Sequence, residues 1–218
     1  MLKAIFWDND GVLVDTEELY FSATRDVLSK SGIDLSRDLF IEISLKQGRS
    51  SFDLAVEKGF CRETITQLRS ERNQRYSELL RNKVHVLDGV ENTLHQLHGK
   101  ILMGVVTSSR REHFDIIHST TGLLRYFDFV LTREDYRKSK PNPDPFLTAM
   151  RQHEFKPEHC IIVEDSERGL AAANAAEIKC IVVPTYLTRG SNFHGAYKIF
   201  GNIREVAVEV LRLLHQGI

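Results

Sequence analysis

Met-Leu-Lys-Ala-Ile-Phe-Trp-Asp-Asn-Asp-Gly-Val-Leu-Val-Asp-Thr, residues 1–16, is the stretch on which the fold turns. The apolar run Ala4-Ile5-Phe6-Trp7 has the length of a fully buried strand, with Trp7 in the core, and it ends at a turn signal. That turn carries two carboxylates, Asp8 and Asp10, followed by Gly11. Open α/β sheets bind ligands at the carboxyl ends of their strands, so the position as well as the composition points to chemistry. Taken alone, Asp-x-Asp is a weak motif that fits an ordinary acidic turn equally well. Its meaning depends on what the other strand ends carry.

Beyond Asp15 the hydrophobic period changes. Leu19, Phe21, Ala23, Val27 and Leu28 recur at helical spacing, with Thr16 in the N-cap position and Glu17 and Glu18 in the first turn. Gly32 closes that helix. Further helices are expected over 36–44, over 50–58 up to Gly59, and over 63–81, the last amphipathic. No strand pattern interrupts residues 16–82. From Val84 onward, strands at 101–106, 127–131, 160–163 and 178–183 alternate with helices at 89–98, 110–119, 143–152, 169–176 and 206–214. Such alternation predicts a parallel sheet. The fold class is therefore α/β, with an all-helical block over 16–82 interrupting a core made of residues 1–15 and 83–218.

Bulk composition excludes several function classes. The chain has 218 residues, a formal net charge of −1, 42% apolar and 27% charged residues. No global basic field attracts nucleic acid or an anionic membrane. The basic stretch 133–140 is short and contains Glu134 and Asp135. Asp8 interrupts the N-terminal apolar run too early for a signal peptide, and no run of eighteen apolar residues exists. The expected protein is cytoplasmic and monomeric, with no nucleic-acid or membrane partner. Cys160 and Cys180 each lead an apolar run and are expected as buried thiols. His95 and His98 lie three apart on a predicted helix without carboxylate neighbours, and are expected at the surface rather than on a metal.

The strand ends form one chemical set. The first gives Asp8 and Asp10, the second Thr107 and Ser108, and the fourth Glu164 and Asp165. Lys140 follows the third, in Ser139-Lys140-Pro141-Asn142-Pro143. Singly, the hydroxyls read as helix caps, the lysine as a solvated loop charge and the acids as a helix start. Their conjunction at one sheet edge is what calls for chemistry. Carboxylates gathered in one cleft repel each other unless a cation sits between them. An oxygen-only set suits a hard ion, and Mg²⁺ fits a few carboxylates plus phosphate and water. A lysine and a hydroxyl opposite that ion can hold phosphate oxygens. Phosphoryl transfer needs mainly such positioning and charge neutralisation.

These residues resemble the haloacid dehalogenase-like hydrolase superfamily, in the subgroup with a helical cap inserted after the first motif. The matching segments are Asp8-Asn9-Asp10-Gly11-Val12-Leu13-Val14-Asp15-Thr16, then Thr107, then Lys140-Pro141, then Glu164-Asp165-Ser166 with Gly169-Leu170. The resemblance implies a Rossmann-like core and a helical cap domain over 16–82. By that resemblance Asp8 is the nucleophile and Asp10 the general acid/base. Asp8, the Asp10 carbonyl, Asp165 and Glu164, directly or through water, would hold Mg²⁺. Thr107, the Ser108 amide and Lys140 would grip the transferring phosphoryl group. The cap would be a lid hinging near residues 14–16 and 82–86.

Details narrow the choice. Asp10 argues against dehalogenase chemistry, which needs no second acid there. Tyr20 and Thr24 stand where the first-helix pattern of β-phosphoglucomutase has a histidine and a tryptophan, which favours a phosphatase. A phosphonate hydrolase would place a Schiff-base lysine in the cap; Lys46 lies in that region, with nothing else in support. Leu45-Lys46-Gln47-Gly48-Arg49-Ser50 resembles the family's substrate-specificity loop. There Arg49 or Lys46 would bind a second anionic group, although both fit equally well as exposed helix-flanking charges. The expected activity is Mg²⁺-dependent hydrolysis of a small phosphorylated metabolite, a sugar phosphate or similar phosphomonoester, through an aspartyl-phosphate. The alternatives are a β-phosphoglucomutase-like transferase and a non-catalytic binding protein on the same fold.

Overall fold

The computed structural model describes residues 1–216. Strand β1 (Ala4–Trp7) is buried on both faces, as its unbroken apolar run requires. A tight loop follows, closed by the N–H groups of Val12, Leu13 and Val14 on the Asn9 carbonyl, and leads into the short β2 (Val14–Asp15). The chain is then helical through α1 (Glu17–Lys30), α2 (Arg37–Phe40), a π-helical turn (Ile41–Lys46), α3 (Asp53–Glu57) and α4 (Arg62–Lys83). It returns as β3 (His85–Val86), antiparallel to β2, with Val14 opposite Val86 and Asp15 opposite His85. The remainder alternates: α5 (Val90–Leu97), β4 (Leu102–Val106), α6 (Arg111–His118), β5 (Phe129–Leu131), α7 (Asp144–Gln152), β6 (Cys160–Glu164), α8 (Glu167–Ala175), β7 (Lys179–Val182), β8 (Lys198–Ile199) and α9 (Arg204–His215).

Six strands make one sheet in the order β5-β4-β1-β6-β7-β8, every neighbouring pair parallel. Side chains alternate between its faces with period two. Ile5, Trp7, Met103, Val105, Ile161 and Val163 point to the layer that holds α5 and α9. Ala4, Phe6, Val106, Cys160 and Ile162 point to the layer that holds α7 and α8. The α/β expectation with an inserted helical segment therefore describes the molecule. That segment has an apolar cluster of its own, built on Phe21, Leu28, Leu35, Phe40, Phe52 and Ile65. Leu187, from the loop after β7, is buried in the same cluster.

Local differences from the sequence expectations have physical causes. The helix expected over 36–44 starts with Ser36, whose hydroxyl caps Leu39 N–H. It then widens to a π turn, in which Gln47 N–H reaches the Glu42 carbonyl five residues back. Thr16 occupies the N-cap position of α1 but makes no cap hydrogen bond, because its hydroxyl is donated to Asp10. Helix α8 begins earlier than residue 169, with Ser166 as its cap, accepting from Gly169 N–H. The two segments expected as hinges prove to be paired strands, β2 and β3. Strand β8, only two residues long, carried no sequence signal. Cys160 and Cys180 are buried free thiols, and His95 and His98 are exposed. No helix among the described residues is long and apolar enough to cross a membrane.

Candidate active site

The parallel register brings the carboxyl ends of β1, β4 and β6 to one edge, where the chain leaves each strand within a few residues. Asp8 follows β1 directly and Asp165 follows β6, and both are buried. Lys140 arrives from the loop before α7, buried to 4% exposure. Its ammonium donates to Asp8 Oδ1 at 2.7 Å, Glu164 Oε1 at 2.6 Å and the Val106 carbonyl at 2.9 Å. All three of its N–H groups are thereby used. Burial works against the Lys140 charge, but the Asp8 and Glu164 carboxylates outweigh it and hold the ammonium above its usual range. For Asp8 the balance goes the other way. Burial, with Glu164 and Asp10 nearby, outweighs Lys140 and raises its carboxyl to about 7.

Asp10 is held by hydroxyls rather than by a cation. Thr16 Oγ1 donates to its Oδ1, while Ser109 Oγ at 2.7 Å and Thr107 Oγ1 at 3.3 Å donate to its Oδ2. Thr107 Oγ1 also accepts from Ser109 N–H at 3.0 Å. The Ser108 hydroxyl is buried beside them with no partner among the described residues. Ser109 and Thr16 therefore join the set, although the sequence reading took Thr16 for a cap and passed over Ser109.

Glu164 is fully engaged. Its Oε1 takes Lys140, and its Oε2 accepts from Asp165 N–H at 3.2 Å and Ser166 Oγ at 3.1 Å. A glycine at 169 makes this possible, since a Cβ there would lie 1.9 Å from the Glu164 carboxyl carbon. Gly11 plays the same part for Asp165. It has φ +82°, and a Cβ would stand 2.5 Å from Asp165 Oδ2.

The donor set fits a divalent cation. Oxygens of Asp8, Glu164 and Asp165 lie within 4.8 Å of one another, and Asp165 Oδ2 is buried without a partner. Burial, with Glu17, Glu164 and Asp8 close by, pushes the Asp165 carboxyl well above the usual range. Three buried acids with one lysine are short of positive charge, and an all-oxygen set favours a hard ion such as Mg²⁺. Asp8 and Asp165 retain oxygens for it, whereas both oxygens of Glu164 are taken. Two charges beside this cluster were not read from the sequence as part of it, Glu17 having been taken only for a first-turn acid. Glu17 is buried with Oε2 unpartnered, and burial raises its carboxyl to about 8. Arg168, the second residue of α8, faces Asp8, Glu164, Glu17 and Asp165.

A cavity of about 180 Å³, bordered by Asp8, Asp10 and Glu17, opens toward the helical segment. Arg49 borders it, but its guanidinium pairs with Asp53 at 3.2 Å and Glu57 at 3.6 Å. Lys46 pairs with Glu42 at 3.4 Å and does not border the cavity. Arg72 of α4 does. Its guanidinium lies 4.3 Å from the ring centroid of Tyr20 and 5.4 Å from that of Phe52, and its Nε donates to Asn73 Oδ1. No carboxylate among the described residues lies within 4.0 Å of it. Its aromatic neighbours are far off in sequence, so only the helix register could have pointed to it.

A parallel α/β core that delivers a buried aspartate–lysine pair, a hydroxyl-held second aspartate and an adjoining cavity to one sheet edge is the layout of an enzyme. The chain belongs to the haloacid dehalogenase-like hydrolases, whose family model matches residues 5–183. It is 27% identical over 206 residues to Protein CbbY of Rhodobacter capsulatus, covering 89% of this chain and 91% of that protein. It is 28% identical over 185 residues to the phosphorylated carbohydrates phosphatase of Thermotoga maritima, with 83% and 84% covered. The solved β-phosphoglucomutase of Clostridium difficile superposes with a TM-score of 0.81 at 26% identity, covering 100% of this chain and 98% of that one.

Proposed function

We propose that the protein is a Mg²⁺-dependent phosphatase that hydrolyses a small phosphorylated metabolite, a sugar phosphate or similar phosphomonoester, through an aspartyl-phosphate on Asp8. The observation that carries this reading is the pairing of Asp8 Oδ1 with a fully engaged Lys140, next to an Asp10 held by three hydroxyls. Lys140 keeps Asp8 oriented and able to ionise, which a nucleophilic carboxylate needs. Asp8 attacks phosphorus as the ester P–O bond breaks, and the Asp10 carboxyl gives its proton to the departing oxygen. Asp10, now a carboxylate, takes a proton from water as that water attacks phosphorus. The bond to Asp8 then breaks, freeing phosphate.

Asp8, Asp165 and the Asp10 carbonyl would hold Mg²⁺, with Glu164 holding Lys140 and contributing to the ion directly or through water. The ion supplies charge neutralisation on the phosphoryl oxygens. Thr107, Ser108 and Lys140 are assigned to the phosphoryl group. The helical segment 16–82 acts as the lid, hinging at β2 and β3. Remote recognition goes to Arg72, since Lys46 is committed to Glu42 one turn back and Arg49, in the loop before α3, is committed to Asp53 and Glu57 of that helix. The name of the Thermotoga maritima relative supports the substrate class.

The test is Asp8→Asn assayed with Mg²⁺ on a panel of phosphate esters, with inorganic phosphate as the readout. Loss of release by about a thousandfold or more is expected for a removed nucleophile. Undiminished turnover by the variant ends the proposal. Wild-type conversion of a sugar phosphate to its isomer without phosphate release would make the enzyme a mutase.

A further inference from the structure

The chain crosses between the sheet core and the helical segment at β2 and β3, which lie side by side. Two neighbouring crossings leave such a segment free to swing about the doorway. A third attachment comes from the loop after β7. That loop leaves the core at Val183, whose N–H donates to the Glu164 carbonyl at 2.8 Å. It rejoins the core at Asn192, whose N–H goes to Glu167 Oε1 at 2.8 Å, and Phe193 is then buried in the layer of α7 and α8. Between these pins the loop reaches into the helical segment. Leu187 is 5% exposed and is the only buried member of that segment's apolar cluster, among the described residues, from outside 16–82. Beside it Tyr186 Oη donates to Glu18 Oε2 at 2.8 Å, and Glu18 Oε1 accepts from Arg37 at 2.8 Å.

The tip of the loop is a built turn. Thr188 is fully buried, its hydroxyl accepts from Thr185 N–H at 3.0 Å, and its carbonyl accepts from Ser191 N–H at 2.9 Å. The opposite case is the edge of the helical segment over residues 44–52. A Cβ on Gly48 would lie 2.9 Å from Pro141 Cδ, so this edge meets the core closely. Yet every hydrogen bond and ion pair of residues 44–52, among the described residues, stays inside the helical segment.

We propose that residues 184–192 form a clip by which the core itself holds the lid over the cavity, with Leu187 as the positioning residue. The clip fixes the lid beside the Glu18–Arg37 pair and leaves the Gly48 edge to part from Pro141. This deepens the lid assignment and rests on the phosphomonoesterase reading only for its kinetic readout. Withdrawing Leu187 returns a leucine side chain to water, so the clip favours the closed lid by ~10- to 100-fold. An open population of ~1% would grow to about 10–50% once that side chain is truncated.

Distances between two spin labels, measured by pulsed electron paramagnetic resonance, read the lid directly. Cys61 is exposed and immediately precedes α4, a 22-residue helix whose other end runs into the doorway. It therefore lies ~33 Å along that helix from the hinge, where a swing displaces it most. The second label goes on Glu158→Cys, an exposed core position just before β6, while Cys160 and Cys180 are buried and escape labelling. The wild-type protein is expected to give one distance. Leu187→Ala should add a longer one in ~10–50% of molecules, and Leu187→Met should restore the wild-type distribution. A slackened clip, with two glycines inserted after Pro184 and two after Ser191, keeps Leu187 and its turn but lengthens each leg by up to ~7 Å. It should open the lid as Leu187→Ala does, without the drop in melting temperature that a cavity in the cluster brings. On p-nitrophenyl phosphate with Mg²⁺, both variants should raise KM by the factor by which the closed fraction falls, with kcat within about twofold.

A slackened clip whose distances match the wild type overturns the inference and reduces Leu187 to a packing residue of the lid. A wild-type lid found mostly open overturns it too, as do unchanged distances in folded Leu187→Ala. Where Leu187→Ala does not fold, the slackened clip decides alone. Failure of the wild-type enzyme to release phosphate from any ester overturns the phosphomonoesterase reading and leaves the distances to judge the clip.

Discussion

Replacing Lys140 with Met keeps most of the side-chain volume and removes the charge. The ammonium is 2.7 Å from Asp8 Oδ1 and 2.6 Å from Glu164 Oε1, and its side chain is only 2% exposed. Without it, two buried carboxylates lose the cation hydrogen-bonded to both and keep only the more distant charge of Arg168. Breaking a buried pair in this way costs ~3–5 kcal/mol. Protonation sets a ceiling, because the acids can escape by taking up protons. Neutralising one ordinary carboxylate at pH 7 costs ~4 kcal/mol, at 1.36 kcal/mol per pH unit above its pKa. The expected loss in metal-free protein is therefore about 3–4 kcal/mol at pH 7, shrinking to about 1 kcal/mol near pH 5.

Urea unfolding followed by circular dichroism at the two pH values measures this. The double variant Lys140→Met/Glu164→Gln should recover most of the stability, because one of the stranded charges is gone, and should remain inactive. A loss below about 1 kcal/mol at pH 7, or one that does not change with pH, would refute the reasoning. A double variant no more stable than the single one would refute it as well.

Four further outcomes follow. Asp165→Asn should abolish Mg²⁺ binding in titration calorimetry while raising the melting temperature of metal-free protein, because it removes a buried acid that its neighbours repel. Asp10→Asn should bind Mg²⁺ nearly as wild type does and lose turnover, its assigned metal contact being a backbone carbonyl. Gly169→Ala places a Cβ 1.9 Å from the Glu164 carboxyl carbon and should cost ~2–3 kcal/mol, with kcat falling as Glu164 is displaced from Lys140. His118 is buried against Asn9 and Thr121, and burial lowers its pKa from 6.5 to about 4, with Asp10 opposing. The folded ring thus binds its proton more weakly than the unfolded chain does. Stability is full above pH 6.5 and falls by ~3 kcal/mol as pH drops through about 4, and His118→Phe should flatten that limb in acid-unfolding curves.

The carboxylate–lysine cluster was legible because all its residues but Lys140 lie at strand ends, and strands announce themselves by apolar runs. Asp8, Asp10, Thr107, Glu164 and Asp165 meet at one edge for that reason. The distal end was not legible. Arg49 and Arg72 both border the cavity, and what separates them is pairing, since Arg49 is taken by Asp53 and Glu57 whereas Arg72 stacks on Tyr20 and Phe52. Arg49 sits four residues before Asp53 and takes it as a partner, a pairing visible in the sequence and underused. The division of labour between Glu164 and Asp165 was equally hidden. Adjacent acids look alike until one is seen to spend both oxygens on Lys140 and its own turn. The buried Asn9–His118 hydrogen bond spans 109 positions and left no local trace.

The small antiparallel ladder of β2 and β3 bears on how such a chain can change over generations. It brings the departure and return points of the helical segment within one strand spacing of each other, so the backbone between residues 15 and 85 could be closed by a two-residue hairpin. The register of β1 against β4 and β6 is set without any residue from the excursion. An insertion at that doorway can lengthen or shrink while Asp8, Lys140 and Glu164 keep their mutual contacts, provided the Thr16 hydroxyl that reaches Asp10 is kept at its start. Its successor must only re-cover the core surface now touched by Ala23, Tyr76 and Leu80. On the proposed function, the strand ends that would carry the reaction belong to a frame whose register does not depend on the inserted helices.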